Sequence, residues 1–178
     1  MDNNKFIKTA AAVIFILMTS PAYSSENEEN VIYFGTGPSK TGNALKSNSA
    51  PLSLGYLKLS NSSDTVWGID FSGEGTMLDS TGGRYNTVTR ATAYNILAGK
   101  NLNKGENSRF DAAIVLGMRE SVTSCPSSYI GYQCYADRAP DTKYSVNYGV
   151  VVSWNYKSLM LGLRATGEST QALLGLKF

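Results

Sequence analysis

From residue 31 onward the chain is a succession of runs in which apolar residues alternate with polar or small ones. A period of two is the signature of a strand whose two faces meet different surroundings. The clearest run is Tyr144 to Tyr156. Tyr144, Val146, Tyr148, Val150, Val152, Trp154 and Tyr156 share one face, and Ser145, Asn147, Gly149, Val151, Ser153 and Asn155 share the other. Aromatic residues at both ends of the apolar face, with aliphatic ones between, form the layout of a lipid-facing strand with interfacial girdles.

The same reading extends along the chain. Leu159, Leu161 and Leu163 face out on the next strand, and Ala172, Leu174, Leu176 and Phe178 on the last, opposite Gln171, Leu173, Gly175 and Lys177. Upstream, Phe110, Ala112, Ile114, Leu116 and Met118 face out, as do Tyr94, Ile96 and Ala98 near 91–101, Trp67, Ile69 and Phe71, and Leu52, Leu54 and Tyr56 near 50–59. The first strand, 30–37, has no clear facing because its apolar residues run together. The pattern predicts an all-β, eight-stranded antiparallel transmembrane barrel, each strand near the length of about 9–11 residues that crosses a bilayer at a tilt. Short turns at 61–64, 103–107 and 155–157 alternate with longer loops at 38–49, 75–89 and 121–143, and a tight fourth connection lies at 167–169.

With 178 residues, one architecture should account for the chain. Charged residues are only 17%, while eleven Tyr, seventeen Gly and abundant Ser, Thr and Asn favour strands and turns. The beginning stands apart. Lys5 and Lys8, the apolar run from Ala10 to Met18 and the small-x-small Ala22-Tyr23-Ser24 read as a signal peptide, 1–24, leaving the barrel as 25–178. The mature chain then has a net charge of +1, which argues against nucleic acid as a partner. In an exported protein, Cys125 and Cys134 within one polar segment are expected to form an intraloop disulfide. Two cysteines without any His leave zinc short of ligands, so neither metal nor cofactor is expected.

A final strand of alternating hydrophobics ending in Phe178 resembles the recognition signal of bacterial outer-membrane barrels, with Leu174, Leu176 and Phe178 as its key positions. The whole pattern is similar to small barrels of the OmpX, Ail and Opa type. This resemblance implies residence in the outer membrane of a Gram-negative bacterium. It also implies insertion by the barrel assembly machinery and contact with outer-membrane lipids and lipopolysaccharide.

The inward faces carry Asp70, Glu74, Arg109, Asp111, Arg119, Arg164 and Lys177, together with Asn95, Asn147 and Gln171. A polar interior of mutually paired charges is expected, because eight strands enclose a space that side chains fill. Glu74, Arg119 and Arg164, toward the loop end, are a candidate ligand site or gate, which keeps a narrow channel open as an alternative. A lipid A-modifying enzyme is a further alternative. Such families use a histidine, and its absence from this chain argues against acyl-transfer or protease chemistry; no catalytic residue is assigned. The favoured function is a surface barrel whose loops serve binding, adhesion or envelope integrity. The candidate binding loop carries Tyr129, Tyr132, Tyr135 and Arg138 for a host or other cell-surface ligand, and tyrosine supplies contact area at low entropic cost.

Overall fold

The structure is a computed structural model, and it describes residues 28–40, 50–80, 87–121 and 142–178. The expected signal peptide, 1–24, therefore lies outside the described residues, as do Cys125 and Cys134 with their expected disulfide, and Tyr129, Tyr132, Tyr135 and Arg138.

Eight strands follow one another: β1 (Glu28–Thr36), β2 (Leu52–Ser60), β3 (Thr65–Ser80), β4 (Thr87–Lys104), β5 (Ser108–Ser121), β6 (Lys143–Tyr156), β7 (Leu159–Thr166) and β8 (Thr170–Lys177). Each pairs antiparallel with its neighbours, and β1 pairs with β8, so the sheet closes into a barrel. Phe178 extends the closure through two backbone hydrogen bonds with Asn30, at 2.9 and 3.0 Å. Following partners around the barrel from Val31 leads through Leu57, Gly68, Leu97, Val115, Gly149, Thr166 and Ser169 to Ser39, eight residues further along the chain. An eight-stranded barrel with that stagger has its strands inclined at about 36°.

The alternation read from the sequence is the alternation of the walls. Ile114, Val150, Leu163 and Leu174 point outward and are each more than half exposed, while their inward neighbours Val115, Val151, Arg164 and Leu173 are buried. Aromatic rings bracket this aliphatic band. Trp154 stacks on Tyr156 near the end that carries the short turns, and Phe71 meets Tyr94 edge to face toward the opposite, loop end. In β1 the facing is now defined: Val31, Tyr33 and Gly35 point in, and Ile32 and Phe34 out.

Two expectations are corrected. The stretch 75–89 is not simply a loop, since β3 runs on to Ser80 and β4 begins at Thr87, with Thr76, Met77 and Leu78 paired to Arg90, Thr89 and Val88. Strand lengths are accordingly unequal. β3 to β6 have 16, 18, 14 and 14 residues, against 9, 9, 8 and 8 for β1, β2, β7 and β8. The four long strands project past the rim at the loop end, because β2 stops pairing with β3 at Gly73 and β7 stops pairing with β6 at Gly149. A bulge with Gly75 at φ +72° bends β3 where it leaves the barrel, a conformation costly for any residue with a Cβ.

The second correction concerns the interior, which is layered rather than polar throughout. On β6, Asn147 toward the loop end and Asn155 toward the turn end are separated by Val151; on β8, Leu173 separates Gln171 from Lys177. Val31, Tyr33, Leu57, Leu97, Val115, Val151, Met160 and Leu173 fill the middle as a continuous buried apolar cluster. These residues were hidden in the pattern because their strands are apolar on both faces, as in Leu52–Ser60, where Leu57 and Leu59 turn in while Leu54 and Tyr56 turn out. Tyr33 fills the space left by Gly55, whose missing Cβ would fall inside the Tyr33 ring.

Candidate functional site

Above the apolar layer, toward the loop end, lies a buried polar cluster drawn from five strands and the β7–β8 turn. Arg164 is its centre and has no exposed surface. Its Nη1 and Nη2 donate to Glu74 Oε2 and Oε1 at 2.8 and 2.7 Å, and Nη2 also reaches Asp70 Oδ1 at 2.9 Å. The planar fork of an arginine matches a carboxylate in this two-point geometry. Both carboxylates are further saturated by neutral donors. Glu74 accepts from Ser72, Asn147, Thr166 and Ser169, at 3.0, 2.9, 2.7 and 2.6 Å, and Asp70 accepts from Tyr33 and Asn95, both at 2.7 Å. A buried charge left without such partners would cost several kcal/mol, so this density of donors is what allows two carboxylates and one guanidinium to sit in the barrel.

The inward charges do not form one site. Arg119 faces the rim and pairs with Glu168 of the β7–β8 turn at 2.8 Å, with both side chains partly exposed. It is thereby set apart from the Glu74–Arg164 pair with which the sequence grouped it. At the turn end, Arg109 donates through Nε to Asp111 Oδ1 at 2.6 Å and through Nη1 to Ser60 O and Asn61 Oδ1. Lys177 reaches Glu29 at 2.9 Å. Charges are thus paired at both ends of the barrel with an apolar layer between.

Several members of the central cluster escaped the sequence reading. Thr166 and Ser169 were recoverable in principle, since Thr166 shares the inward parity of Arg164 and Ser169 that of Gln171. Tyr33 was not, because Val31-Ile32-Tyr33-Phe34 carries no alternation. Among the described residues no group of three or more His, Cys, Asp or Glu side chains is arranged to hold a metal ion.

What the arrangement does chemically is pack and lock. Every carboxylate oxygen of Asp70 and Glu74 is occupied by a donor of the barrel itself. The projecting β3–β6 sheet offers a different surface, where Tyr144, Val146 and Tyr148 of β6 are large hydrophobic side chains exposed at 58, 77 and 66%. The stretch of β6 from Lys143 to Tyr148 pairs with β5 but lies beyond the last residue paired to β7.

No family model and no curated protein sequence matches this chain. Among solved structures it is similar to the outer membrane protein Ail of Yersinia pestis in a phospholipid bilayer nanodisc, at 16% identity and a TM-score of 0.45, covering 85% of this chain and 97% of that one. It is also similar to the N-terminal β-barrel domain of Pseudomonas aeruginosa OprF, at 12% identity and a TM-score of 0.47, covering 85% of this chain and 98% of that one.

Proposed function

We propose that this chain is a sealed outer-membrane barrel that acts as a rigid mount, holding the projecting β3–β6 sheet and its loops outside the cell for binding to a surface ligand or for envelope integrity. The observation that carries this reading is the combination of one lipid-compatible wall with unequal strands. An aliphatic band bracketed by aromatic rings surrounds the barrel, and four strands of 14–18 residues continue past the point where their neighbours end. Closed barrels satisfy all their backbone groups inside the bilayer, whereas a strand edge such as Lys143–Tyr148, which has no β7 partner among the described residues, belongs in water or against a partner. That requirement supports placing the projection outside the hydrocarbon.

The layered interior argues against the channel alternative. Conduction needs a continuous wet path, and the middle of this barrel is closed by side chains such as Val115, Val151 and Met160 that are at most 2% exposed. A lipid A-modifying activity finds no support in the buried cluster either, since its carboxylates are fully engaged and no histidine is available as a base. Outer-membrane lipids, lipopolysaccharide at the loop-end girdle and the barrel assembly machinery acting on Leu174, Leu176 and Phe178 complete the proposed set of partners.

The test compares the full chain with one lacking residues 122–141 in glycan-array and cell-binding assays. Both must show the heat-modifiable gel migration of a folded barrel, and protease applied to whole cells should cut the full chain within the projection. Binding lost with the loop supports the reading. Equal binding by both proteins, or protection of the loop in intact cells, overturns it.

A further inference from the structure

We infer that the barrel holds two internal water sites, one on each side of its dry middle, each built from an arginine and the amide side chain facing it on the next strand. The inference deepens the reading of a sealed barrel.

Arg164 and Gln171 are direct cross-strand partners on β7 and β8, and both point inward with no exposed surface. Arg164 spends both terminal nitrogens on Asp70 and Glu74, and Gln171 donates through Nε2 to Ser169 Oγ at 2.9 Å. What remains is Arg164 Nε, a donor, and Gln171 Oε1, an acceptor, each buried without a hydrogen-bond partner among the described residues. Ser53 Oγ is in the same condition. It borders the same corner, since a Cβ added to Gly35 would touch both Ser53 Oγ and, at 3.0 Å, Gln171 Oε1.

The arrangement recurs at the turn end. Arg109 and Asn155 are cross-strand partners on β5 and β6, both buried. Arg109 uses Nε and Nη1 on Asp111, Ser60 and Asn61, and Asn155 donates through Nδ2 to Asp111 Oδ2. Arg109 Nη2 and Asn155 Oδ1 are left over, again one donor and one acceptor.

Cross-strand neighbours have Cβ atoms about 4.5–5.5 Å apart, which sets the two side chains of each pair next to one another in the lumen. Buried polar groups are rarely left unpaired, and buried waters in proteins typically make about three hydrogen bonds. The chemistry also selects water over an ion. A cation would be repelled by the guanidinium N–H, and an anion by the amide oxygen, whereas water accepts from the first and donates to the second. Val151 and Leu173, on the strands that carry Asn155 and Gln171, belong to the apolar cluster that separates the two sites.

The test is NMR of the full chain, folded in lipid nanodiscs and labelled with nitrogen-15 in arginine. Bound water gives cross-peaks of opposite sign in laboratory- and rotating-frame experiments, which distinguishes it from proton exchange. Cross-peaks to water are expected at Arg164 Nε–H and at the Arg109 guanidinium. Gln171→Leu should abolish the first and leave the second, and Asn155→Leu the reverse, with heat-modifiable migration confirming that each variant is folded. Slowly exchanging arginine protons without water cross-peaks, or cross-peaks unchanged in the matching variants, overturn the inference. Discrete currents from the same protein in planar bilayers would instead overturn the sealed reading, leaving the two sites to be judged by the NMR result.

Discussion

Arg164 of β7 and Glu74 of β3 meet inside the barrel as a two-point ion pair, with Nη1 2.8 Å from Oε2 and Nη2 2.7 Å from Oε1, and neither side chain exposed. The strands that carry them are not neighbours in the sheet. The pair therefore ties opposite walls together, and its consequences for stability differ from those of an ion pair on a surface.

Arg164→Met removes the one cation that both Asp70 and Glu74 contact, leaving two buried carboxylates facing each other. A loss of about 3–5 kcal/mol is expected, as for breaking other buried pairs. Replacing all three, as Arg164→Met with Asp70→Asn and Glu74→Gln, should recover a large part of it, because the uncompensated charge is gone. Urea unfolding of the refolded proteins in lipid vesicles measures both. A single variant as stable as the wild type would show that the cluster does not hold the walls together.

Tyr33 and Gly55 form a second contact, between adjacent strands, in which the ring lies over the glycine and its hydroxyl donates to Asp70 at 2.7 Å. Gly55→Ala is expected to cost about 1–3 kcal/mol by overpacking. In the background of Tyr33→Leu the same substitution should cost much less, since the ring it strikes is absent. Equal penalties in the two backgrounds, measured as a double-mutant cycle, would sink the contact as the cause.

The outward band gives a depth-dependent expectation. Ile114 and Leu163 sit mid-wall, while Leu159 lies at the start of β7 beside the turn. Arginine at Ile114 or Leu163 should destabilise the vesicle-inserted barrel by about 2–4 kcal/mol, and at Leu159 by about 0–1 kcal/mol. Refolding each variant into vesicles and titrating with denaturant gives the profile. A flat profile would mean that this wall does not face hydrocarbon.

These features were unequally legible in the sequence. Wherever lipid lies on one side and a packed lumen on the other, every second residue is constrained, so β5 to β8 could be faced correctly from residues such as Arg109, Trp154, Leu161 and Leu174. Beyond the rim that constraint ends. Gly75 to Ser80 and Thr87 to Thr89 are held by pairing within their own hairpin, their sequence has no sustained period-two alternation, and they read as loop. Inside, charge was easy to see and packing was not. Arg164 and Glu74 stood out, but the dry layer of Leu57, Leu97 and Met160 was disguised by strands apolar on both faces or interrupted by glycine.

Arg119 and Glu168 provide the contrast that separates rim from lumen. They pair at 2.8 Å, as short as the contacts of Arg164, but with 14 and 23% of their side chains exposed, at the turn where β7 passes into β8. Solvent that reaches the pair weakens its Coulomb attraction and admits salt, whereas the lumen pair is shielded from both. Arg119→Gln should therefore cost no more than about 1 kcal/mol, an amount that shrinks further between 50 mM and 1 M salt, roughly the range over which screening shortens from beyond 10 Å to about 3 Å. The penalty of Arg164→Met should be nearly independent of salt over that range. Denaturant titrations of both variants at the two salt concentrations decide it. If Arg119→Gln proved as damaging as Arg164→Met and equally indifferent to salt, the two arginines would belong to one buried network, and the division between a locked lumen and a solvated rim would fail.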